Sequence, residues 1–408
     1  MTDIKPELLV VLGSGSSVGV GGPSTYDITR YIEKQFGGPG YPVADMNLIW
    51  TGLKRIIPNS NDINFEHVIA ALEELQSMAT SQAAQSDRYI RIAGAFTELT
   101  NQFKGLSNWQ VLRDIRCRIN ELIKQYIMTH EPDKHEKKNL YENFFHELSN
   151  TFRLIVLSLN YVDYLDYYPF NNLCFNDGFV DQEGDLKNLR CNSFNHNKFS
   201  EVIHSSNKNV LMHVHGSLNY GYTPAHRGGR EIVRRYGISS SIGVNPSDGS
   251  SNGVLLPSEV IISGVNKIEK LLHKAVPYGA YITAFISKLV TCPKLLLIGY
   301  GANDHYLNVW LEQHKNMHNV SDRRVSVVNK FTIHDFAPPD NSPLKAKVTF
   351  LQRLTEYEGL PSQYAVNLYE KSSWITPQKD LQLICPGFPC DEDKTKEVIN
   401  YLAKQEQN

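Results

Sequence analysis

The chain has 408 residues, of which 41% are hydrophobic and 21% are charged, so it has enough apolar material for a large buried core. Its 41 basic residues nearly balance 43 acidic ones, and the formal net charge of −2 provides no general attraction to nucleic acid or anionic membranes. No apolar run is long enough to span a bilayer, and the N-terminus MTDIKPE lacks the pattern of a signal peptide, so we expect a cytoplasmic protein with two structural units.

The N-terminal segment predicts a buried strand that ends in a glycine-rich turn. The apolar run 8–12 is followed by GSGSSVGVGG, and a helix is expected to begin near Ser24. A strand, a glycine-rich turn and a helix in succession can present backbone N–H groups to a phosphate, because glycine lets the main chain approach a ligand closely. The same glycines are typical of a tight turn that binds nothing, so both interpretations stay open for this motif alone.

Between this turn and residue 150, apolar residues recur at helical spacing. Asp62 and Asn64 are both candidate caps for one of these helices. Its apolar stripe is expected to pack in a core. The predicted helices cover 26–36 and, within a mostly helical block over 45–150, also 61–75, 84–128 and 140–148.

The second half of the chain contains short apolar runs that predict buried strands. These runs lie at 152–159, 210–214, 254–264, 295–298 and 324–328, and a helix is expected over 278–290. The remaining segments are expected to form short strands and loops over 170–208, a long exposed loop over 221–253 and a mixed C-terminal extension over 335–408. Strands that alternate with helices predict an α/β fold with a Rossmann-like, mostly parallel sheet.

Polar residues follow five of the predicted strands at their carboxyl ends. In open α/β sheets the ligand binds in the crevice outside those ends, so the five segments are expected to meet there if their strands share one sheet. The segments are 13–17, 160–163, 213–217, 299–304 and Asn329.

Cysteines and histidines provide little support for a metal site. None of the six cysteines forms a C-x-x-C pair, so neither a zinc ribbon nor a redox motif is indicated, and Cys385 and Cys390 are expected to be free thiols. His213 and His215 share a strand face. An H-x-H pair can ligate a metal, but no third ligand is evident, and we expect one of the two to be a core histidine.

Five segments resemble, in order, motifs of sirtuins and of the wider sirtuin-like NAD-binding proteins. GSGSSVGVGGPS resembles the G-A-G-x-S…G-x-P opening, and SLNYVDYLD resembles the T-x-N-Y-D-x-L-x-E segment of the bacterial sirtuin-like group. HVHGSL resembles the strand end that carries the sirtuin catalytic histidine. LLLIGYGANDHYLN resembles the I-G-Y-S-x-x-D-x-x-[IL] segment, and VVNKF resembles the next strand, whose asparagine contacts the adenosine ribose.

The resemblance implies that NAD binds along these strand ends. Asn160 would hold the nicotinamide ribose or the attacking water, and Asp163 would support it. His215 would be the general base or would bind a ribose hydroxyl. The pyrophosphate and its adjacent ribose would contact Gly13, Ser14, Gly15 and Ser16. The adenosine side would be lined by Gly299, Tyr300, Asn303, Asp304 and Asn329.

The chemistry of these residue types suits cleavage of the N-glycosidic bond of NAD, which passes through an oxocarbenium-like state. An imidazole can accept a proton near neutral pH, and a carboxamide can orient water through its donor and acceptor atoms. Structural interpretations stay open for single residues, because Asn160 is also typical of a turn, and Asn303 and Asp304 are typical of a helix cap. A solvated flexible loop is expected for the arginines Arg227, Arg230, Arg234 and Arg235, with binding of phosphate or of an acidic partner as the alternative.

The chain departs from the family pattern at several points. Val162 occupies the position of the family's first aspartate after Asn-Tyr, so the role of that aspartate is either taken by Asp163 or absent. Gly301 and Ala302 occupy the positions where the family often has a serine and a bulkier residue. The two C-x-x-C pairs of protein-deacylating sirtuins are missing, and a helical block precedes Asn160. Both features resemble the bacterial NAD-hydrolysing sirtuin-like proteins of anti-phage defence.

The resemblance therefore implies an NAD⁺ glycohydrolase that uses NAD⁺ as substrate without a metal and that depletes NAD in defence against phage. It would be gated by homo-oligomerisation or by a partner such as a HerA-type ATPase. The sirtuin-like unit would cover 1–44 and 151–334, with a helical insertion over 45–150 and an extension over 335–408. Two alternatives stay open: an NAD-dependent protein deacylase and a non-catalytic sensor of NAD or ADP-ribose.

Overall fold

The structure, a computed structural model, describes residues 5–36, 52, 64–80, 109–130, 136–161, 164–167, 173–181, 191–205, 207–222, 232–235, 276–330, 350–354, 373–385 and 387–404. Within these residues the chain has an α/β fold with an eight-stranded, mostly parallel central sheet. The predicted Rossmann-like fold class is therefore confirmed. None of the helices in these ranges has both the length and the apolar character that crossing a bilayer requires.

The strands of the described residues are, in chain order, β1 (Glu7–Leu12), β2 (Arg153–Ser158), β3 (Phe175–Asn176), β4 (Phe179–Asp181), β5 (Cys191–Phe194), β6 (Asn209–His213), β7 (Tyr220–Tyr222), β8 (Ile232–Arg235), β9 (Lys294–Ile298), β10 (Arg324–Val328), β11 (Ser373–Ile375) and β12 (Leu381–Ile384). The helices are α1 (Ser14–Val18), α2 (Thr25–Phe36), α3 (Phe65–Thr80), α4 (Trp109–Met128), α5 (Lys138–Thr151), α6 (Tyr164–Tyr167), α7 (His196–Ser205), α8 (Tyr278–Thr291), α9 (His305–Met317) and α10 (Glu392–Ala403).

The large sheet has the strand order β11-β12-β10-β9-β1-β2-β6-β3. The chain adds β2, β3 and β6 on one side of β1 and then β9, β10 and β12 on the other side. All of these strands run parallel, and only the edge strand β11 pairs antiparallel, with β12. The reversal of direction makes the junction of β1 and β9 a topological switch point, which is where open α/β sheets bind ligands.

Both faces of the sheet are covered by helices. Leu9 and Val11 of β1 pack in one core with α7, α8 and α9, whereas Leu8, Val10 and Leu12 pack in a second core with α5 and α10. Because both faces are buried, the central strands are continuous apolar runs. This explains why their positions were predictable from hydrophobicity alone.

The structure confirms most of the predicted elements that it describes. The runs 8–12, 152–159, 210–214, 295–298 and 324–328 correspond to β1, β2, β6, β9 and β10. The helices predicted over 26–36, 61–75, 140–148 and 278–290 correspond to α2, α3, α5 and α8, and the end of the one predicted over 84–128 is α4. The strand predicted over 254–264 lies outside the described residues.

Asn64 caps α3, one of the two caps that the sequence allowed. Its Oδ1 accepts hydrogen bonds from the N–H of Glu66 at 2.9 Å and of His67 at 3.2 Å. The N–H of Phe65, which lies between Asn64 and Glu66 in the chain, donates to Thr29 Oγ1 on α2 at 3.1 Å. The first turn of α3 is therefore fixed both by its own cap and by the neighbouring helix.

Composition was misleading in two segments. The expected exposed loop over 221–253 contains β8, which lies with β7, β4 and β5 in a second, antiparallel sheet, because the sequence IVRR has the β-branched residues that suit a strand. The segment 170–208, expected to hold strands and loops, also contains α7. Asn195 caps this helix by accepting from Lys198 N at 2.9 Å, and Phe199 and Val202 bury one helical face.

The C-terminal extension belongs to the central sheet. Strand β12 pairs in parallel with β10, and Val398 and Leu402 of α10 pack in the same core as Leu148 of α5. The extension also contains α10, whose cap is Asp391, which accepts from Lys394 N at 2.8 Å. Residues from both ends of the chain therefore build one core.

Candidate functional site

The described residues of the five polar segments that were predicted to converge lie side by side. They follow β10, β9, β1, β2 and β6, which are consecutive parallel strands of one sheet. Ser158 of β2 pairs with His213 of β6, so Asn160 and His215 each lie two residues beyond paired positions of neighbouring strands. Leu218 N donates to Tyr161 O at 2.8 Å and joins the two chain segments after the strands end.

Two glycine-containing turns meet at the switch point between β1 and β9. Gly13 N donates to Ile298 O at 2.9 Å, and Gly15 N donates to Gly299 O at 3.1 Å. Gly299 has a φ of +59°, and a Cβ at this position would lie 2.2 Å from Ser16 N. A Cβ at Gly13 would lie 2.5 Å from Gly299 O. The contact between the turns therefore requires glycine at these positions.

In the first turn, three backbone N–H groups already have hydrogen-bond acceptors within the protein. Those of Gly13, Gly15 and Ser16 all donate to carbonyl oxygens of the protein, the last to Gly13 O at 2.9 Å. A tight turn therefore accounts for these groups in this conformation, and the assignment of Gly13, Gly15 and Ser16 to the pyrophosphate stays a prediction. Ser14, the first residue of the short helix α1, is exposed.

The carboxamide of Asn160 is held by the same turn. Asn160 is 8% exposed, and its Nδ2 donates to Ser16 Oγ at 3.0 Å. The hydroxyl of Ser16 in turn donates to Gly13 O at 2.7 Å, so it is fixed as an acceptor for the amide. The glycine-rich turn therefore orients Asn160 through a side chain that is itself 1% exposed.

His215 lies beside a carboxylate and a phenol from the segment after β9. Its imidazole is buried, with Nε2 3.0 Å from Tyr306 Oη and 3.4 Å from Asp304 Oδ1. Asp304 occupies the N-cap position of α9, yet its side chain makes no capping hydrogen bond and its Oδ1 lies near the imidazole. His215 Nε2 therefore faces both a phenol oxygen and a carboxylate oxygen.

Three tyrosines around this cluster stay protonated at neutral pH. Burial raises the pKa of Tyr306 well above its usual range, and the charges of Asp304 and Glu66 raise it further. Burial also raises the pKa of Tyr161, with contributions from the charge of Glu66 and from the hydrogen bond to it. Burial, followed by the charge of Asp304, raises the pKa of Tyr300. The site thus offers neutral phenols beside two carboxylates.

The residues predicted to line the adenosine side divide into two groups. Tyr300 and Asn329 stabilise the fold: Tyr300 Oη donates to Asn308 Oδ1 at 2.6 Å, and Asn329 Nδ2 donates to Tyr300 O at 2.8 Å. Asn303 is exposed, as is its neighbour Gly301. Among the residues that the structure describes, a Cβ at Gly301 would meet only the Asn303 side chain, at 3.4 Å.

The other candidate residues have mixed outcomes. His213 is a core histidine, 1% exposed with its ring edge against Tyr220, as expected for one member of the H-x-H pair. Cys385 and Cys390 are buried free thiols, as predicted. Asp163 lies outside the described residues, as do Arg227 and Arg230. No group of three or more potential metal ligands occurs in the described ranges.

Tyr306, Tyr161 and Glu66 were not among the candidates from sequence. Tyr306 follows two residues after the predicted Asp304, and Tyr161 follows Asn160 directly, so proximity in the chain was the available signal. Glu66 lies at the start of a helix predicted to be structural, and nothing in its pattern indicated a contact with Tyr161 Oη, which donates to Glu66 Oε1 at 2.7 Å.

Comparison with known proteins does not identify the chain: no protein-family model matches it, and no curated protein matches it significantly.

Proposed function

We propose that the protein is an NAD⁺ glycohydrolase, which converts NAD⁺ and water to nicotinamide, ADP-ribose and a proton. The observation that carries the proposal is the placement of Asn160 and His215 on neighbouring strand ends, next to the switch point between β1 and β9. Dinucleotides bind at such points in open α/β sheets. The ordered resemblance of five segments to sirtuin-like proteins supports the same function.

The reaction breaks the bond between C1′ of the ribose and the nicotinamide nitrogen. The electron pair of this bond moves to the nicotinamide ring and cancels its positive charge, while the ribose becomes an oxocarbenium ion. Asn160, oriented by Ser16, positions the water that adds to C1′. The proton of this water passes to His215 Nε2, and the carboxylate of Asp304, 3.4 Å away, stabilises the resulting imidazolium.

The rest of the dinucleotide would extend across the turn contact toward the segment after β9. Ser14 and Asn303 are exposed members of the predicted set that a ligand can reach without displacing a core residue, and Gly301, which is also exposed, lies beside Asn303. No packing contact within the described ranges requires glycine at position 301, and a missing side chain suits close approach of a ligand.

The resemblance also supports a biological role in anti-phage defence, in which the enzyme depletes NAD. By the same reasoning the activity is gated by homo-oligomerisation or by a partner such as a HerA-type ATPase. Gating prevents continuous loss of NAD, so the purified chain alone is expected to be less active than the assembled form.

The test is nicotinamide release from NAD⁺ by the purified protein, alone at rising concentration and with a HerA-type ATPase. We expect turnover, and we expect H215A and N160A each to reduce it by at least about 100-fold, the range of general acid–base effects. The matched control is His204→Ala, since His204 is an exposed histidine on α7.

Three results would contradict the proposal. NAD⁺ that persists under all conditions while ADP-ribose still binds in calorimetry would favour a sensor. Consumption of NAD⁺ only with an acylated peptide would favour a deacylase. Turnover by H215A equal to that of His204→Ala would show that the imidazole is not the base.

A further inference from the structure

A helix outside the sheet contributes a carboxylate to the candidate site. Glu66 is the second residue of α3, in the segment predicted as a helical insertion, and it is half-buried. Asn64 already caps the helix, so Glu66 is not needed for that purpose. Tyr161 Oη donates to Glu66 Oε1 at 2.7 Å, and Tyr161 is the residue that follows Asn160.

The position of Glu66 is fixed from several directions. Phe65 is 1% exposed, and its ring lies 6.3 Å from that of Tyr161 in a tilted arrangement. The N–H of Phe65 donates to Thr29 Oγ1, which ties the start of α3 to α2. The carboxylate is therefore held at one place relative to the end of β2.

Glu66 and Asp304 act on the same two phenols. Tyr306 Oη lies 3.0 Å from His215 Nε2, and the charges of both carboxylates raise the pKa of Tyr306 and of Tyr161. Two carboxylates from different parts of the fold thus lie within electrostatic range of the groups that surround the imidazole.

We propose that Glu66, together with Asp304, provides the negative charge that favours a cationic ribosyl group at this site. This inference rests on the proposed function and deepens it, because loss of nicotinamide turns the ribose into a cation. A fixed carboxylate that needs no reorientation stabilises such a cation more than water does. The ligand class preferred by the site is then an ADP-ribosyl group with positive charge on its terminal ring.

The test compares two ligands by calorimetry: ADP-ribose and an ADP-ribose analogue in which a protonated pyrrolidine replaces the terminal ribose. Glu66→Gln removes the charge but keeps an oxygen that can accept from Tyr161. We expect this variant to bind the cationic analogue on the order of tenfold more weakly and ADP-ribose unchanged. Glu66→Asp keeps the charge and should keep the preference for the cation.

The matched control is Glu121→Gln on α4, because the Glu121 carboxylate lies 2.6 Å from Arg118 Nη1 and its charge is compensated. This control should bind both ligands like the wild type. Equal weakening of both ligands by Glu66→Gln, or no change in either, overturns the role of Glu66 and leaves the proposed function standing. Failure of the wild type to bind either ligand overturns both.

Discussion

Replacement of Gly299 by alanine tests whether the contact between the two turns holds the site together. The φ of Gly299 is +59°, and a Cβ there would lie 2.2 Å from Ser16 N and 2.3 Å from Gly15 C. These are backbone atoms, so no side-chain rotation relieves the overlap. Gly301, two residues further on, provides the control: it is exposed, and its Cβ would lie 3.4 Å from Asn303 Nδ2.

The expected loss of stability for Gly299→Ala has two parts. Holding alanine in the left-handed region costs about 1 kcal/mol relative to glycine. Displacing two packed turns adds about 1 to 3 kcal/mol, as overpacking of an interior does. The sum, roughly 2 to 4 kcal/mol, is a large part of the total stability of a typical protein. Gly301→Ala should change the free energy of unfolding by less than about 0.5 kcal/mol.

Urea unfolding followed by fluorescence measures both variants. If Gly299→Ala is as stable as Gly301→Ala, the turns do not meet as described and the site geometry is wrong. Nicotinamide release from NAD⁺ adds a second readout, since Gly301→Ala should fold normally yet lose activity if a ligand approaches this glycine. Normal stability with normal turnover in Gly301→Ala would contradict that role.

Two further substitutions test side chains inside the fold. Ser16→Ala removes the hydrogen-bond acceptor for Asn160, so it should lower the free energy of unfolding in urea by about 1 to 3 kcal/mol and reduce turnover. The control is Ser17→Ala, which should change both quantities little, because the Ser17 hydroxyl donates only locally, to Ser14 O at 2.9 Å. Equal effects of the two substitutions would contradict the role of Ser16. Burial lowers the pKa of His314 to about 4, so on acidification the unfolded chain takes up a proton at this residue before the folded chain does. The free energy of unfolding therefore falls by up to about 3 kcal/mol as the pH drops from 6.5 to 4, and above pH 6.5 this group contributes no pH dependence. His314→Gln should therefore lose less stability than the wild type over that interval in pH-dependent thermal unfolding, and parallel losses would refute this.

The central strands and their polar ends were predictable because local composition determines them. A strand buried on both faces reads as an apolar run, and Ile155 and Leu297 are both fully buried. Strand order was not predictable in this way, because the pairing of β1 with β9 joins residues that are far apart in the chain. The switch point therefore appeared only with the structure.

The carboxylates beside the imidazole were less predictable for a similar reason. Asp304 was expected on the adenosine side or as a cap, and its actual contact with His215 joins the segments that follow β9 and β6. Glu66 reaches Tyr161 because α3 docks with Phe65 against that ring. Such docking is set by packing between distant elements, which hydrophobic periodicity does not encode.

The sequence indicated that the glycine-rich turn needs residues without side chains, but it did not show what those residues contact. Gly13 and Gly15 were interpreted as a close approach to a phosphate or as a tight turn, whereas they face Gly299 of a second turn. The physical requirement for a missing side chain was correct. Its cause, backbone meeting backbone, was not visible in a single stretch of sequence.

The hydrogen bond from Gly13 to Ile298 has a consequence for biosynthesis. The two residues are separated by most of the chain, so a ribosome must complete nearly three quarters of the polypeptide before this bond can form. Fragments released earlier lack the contact between the two turns, so the candidate site is complete only after β9 has been synthesised.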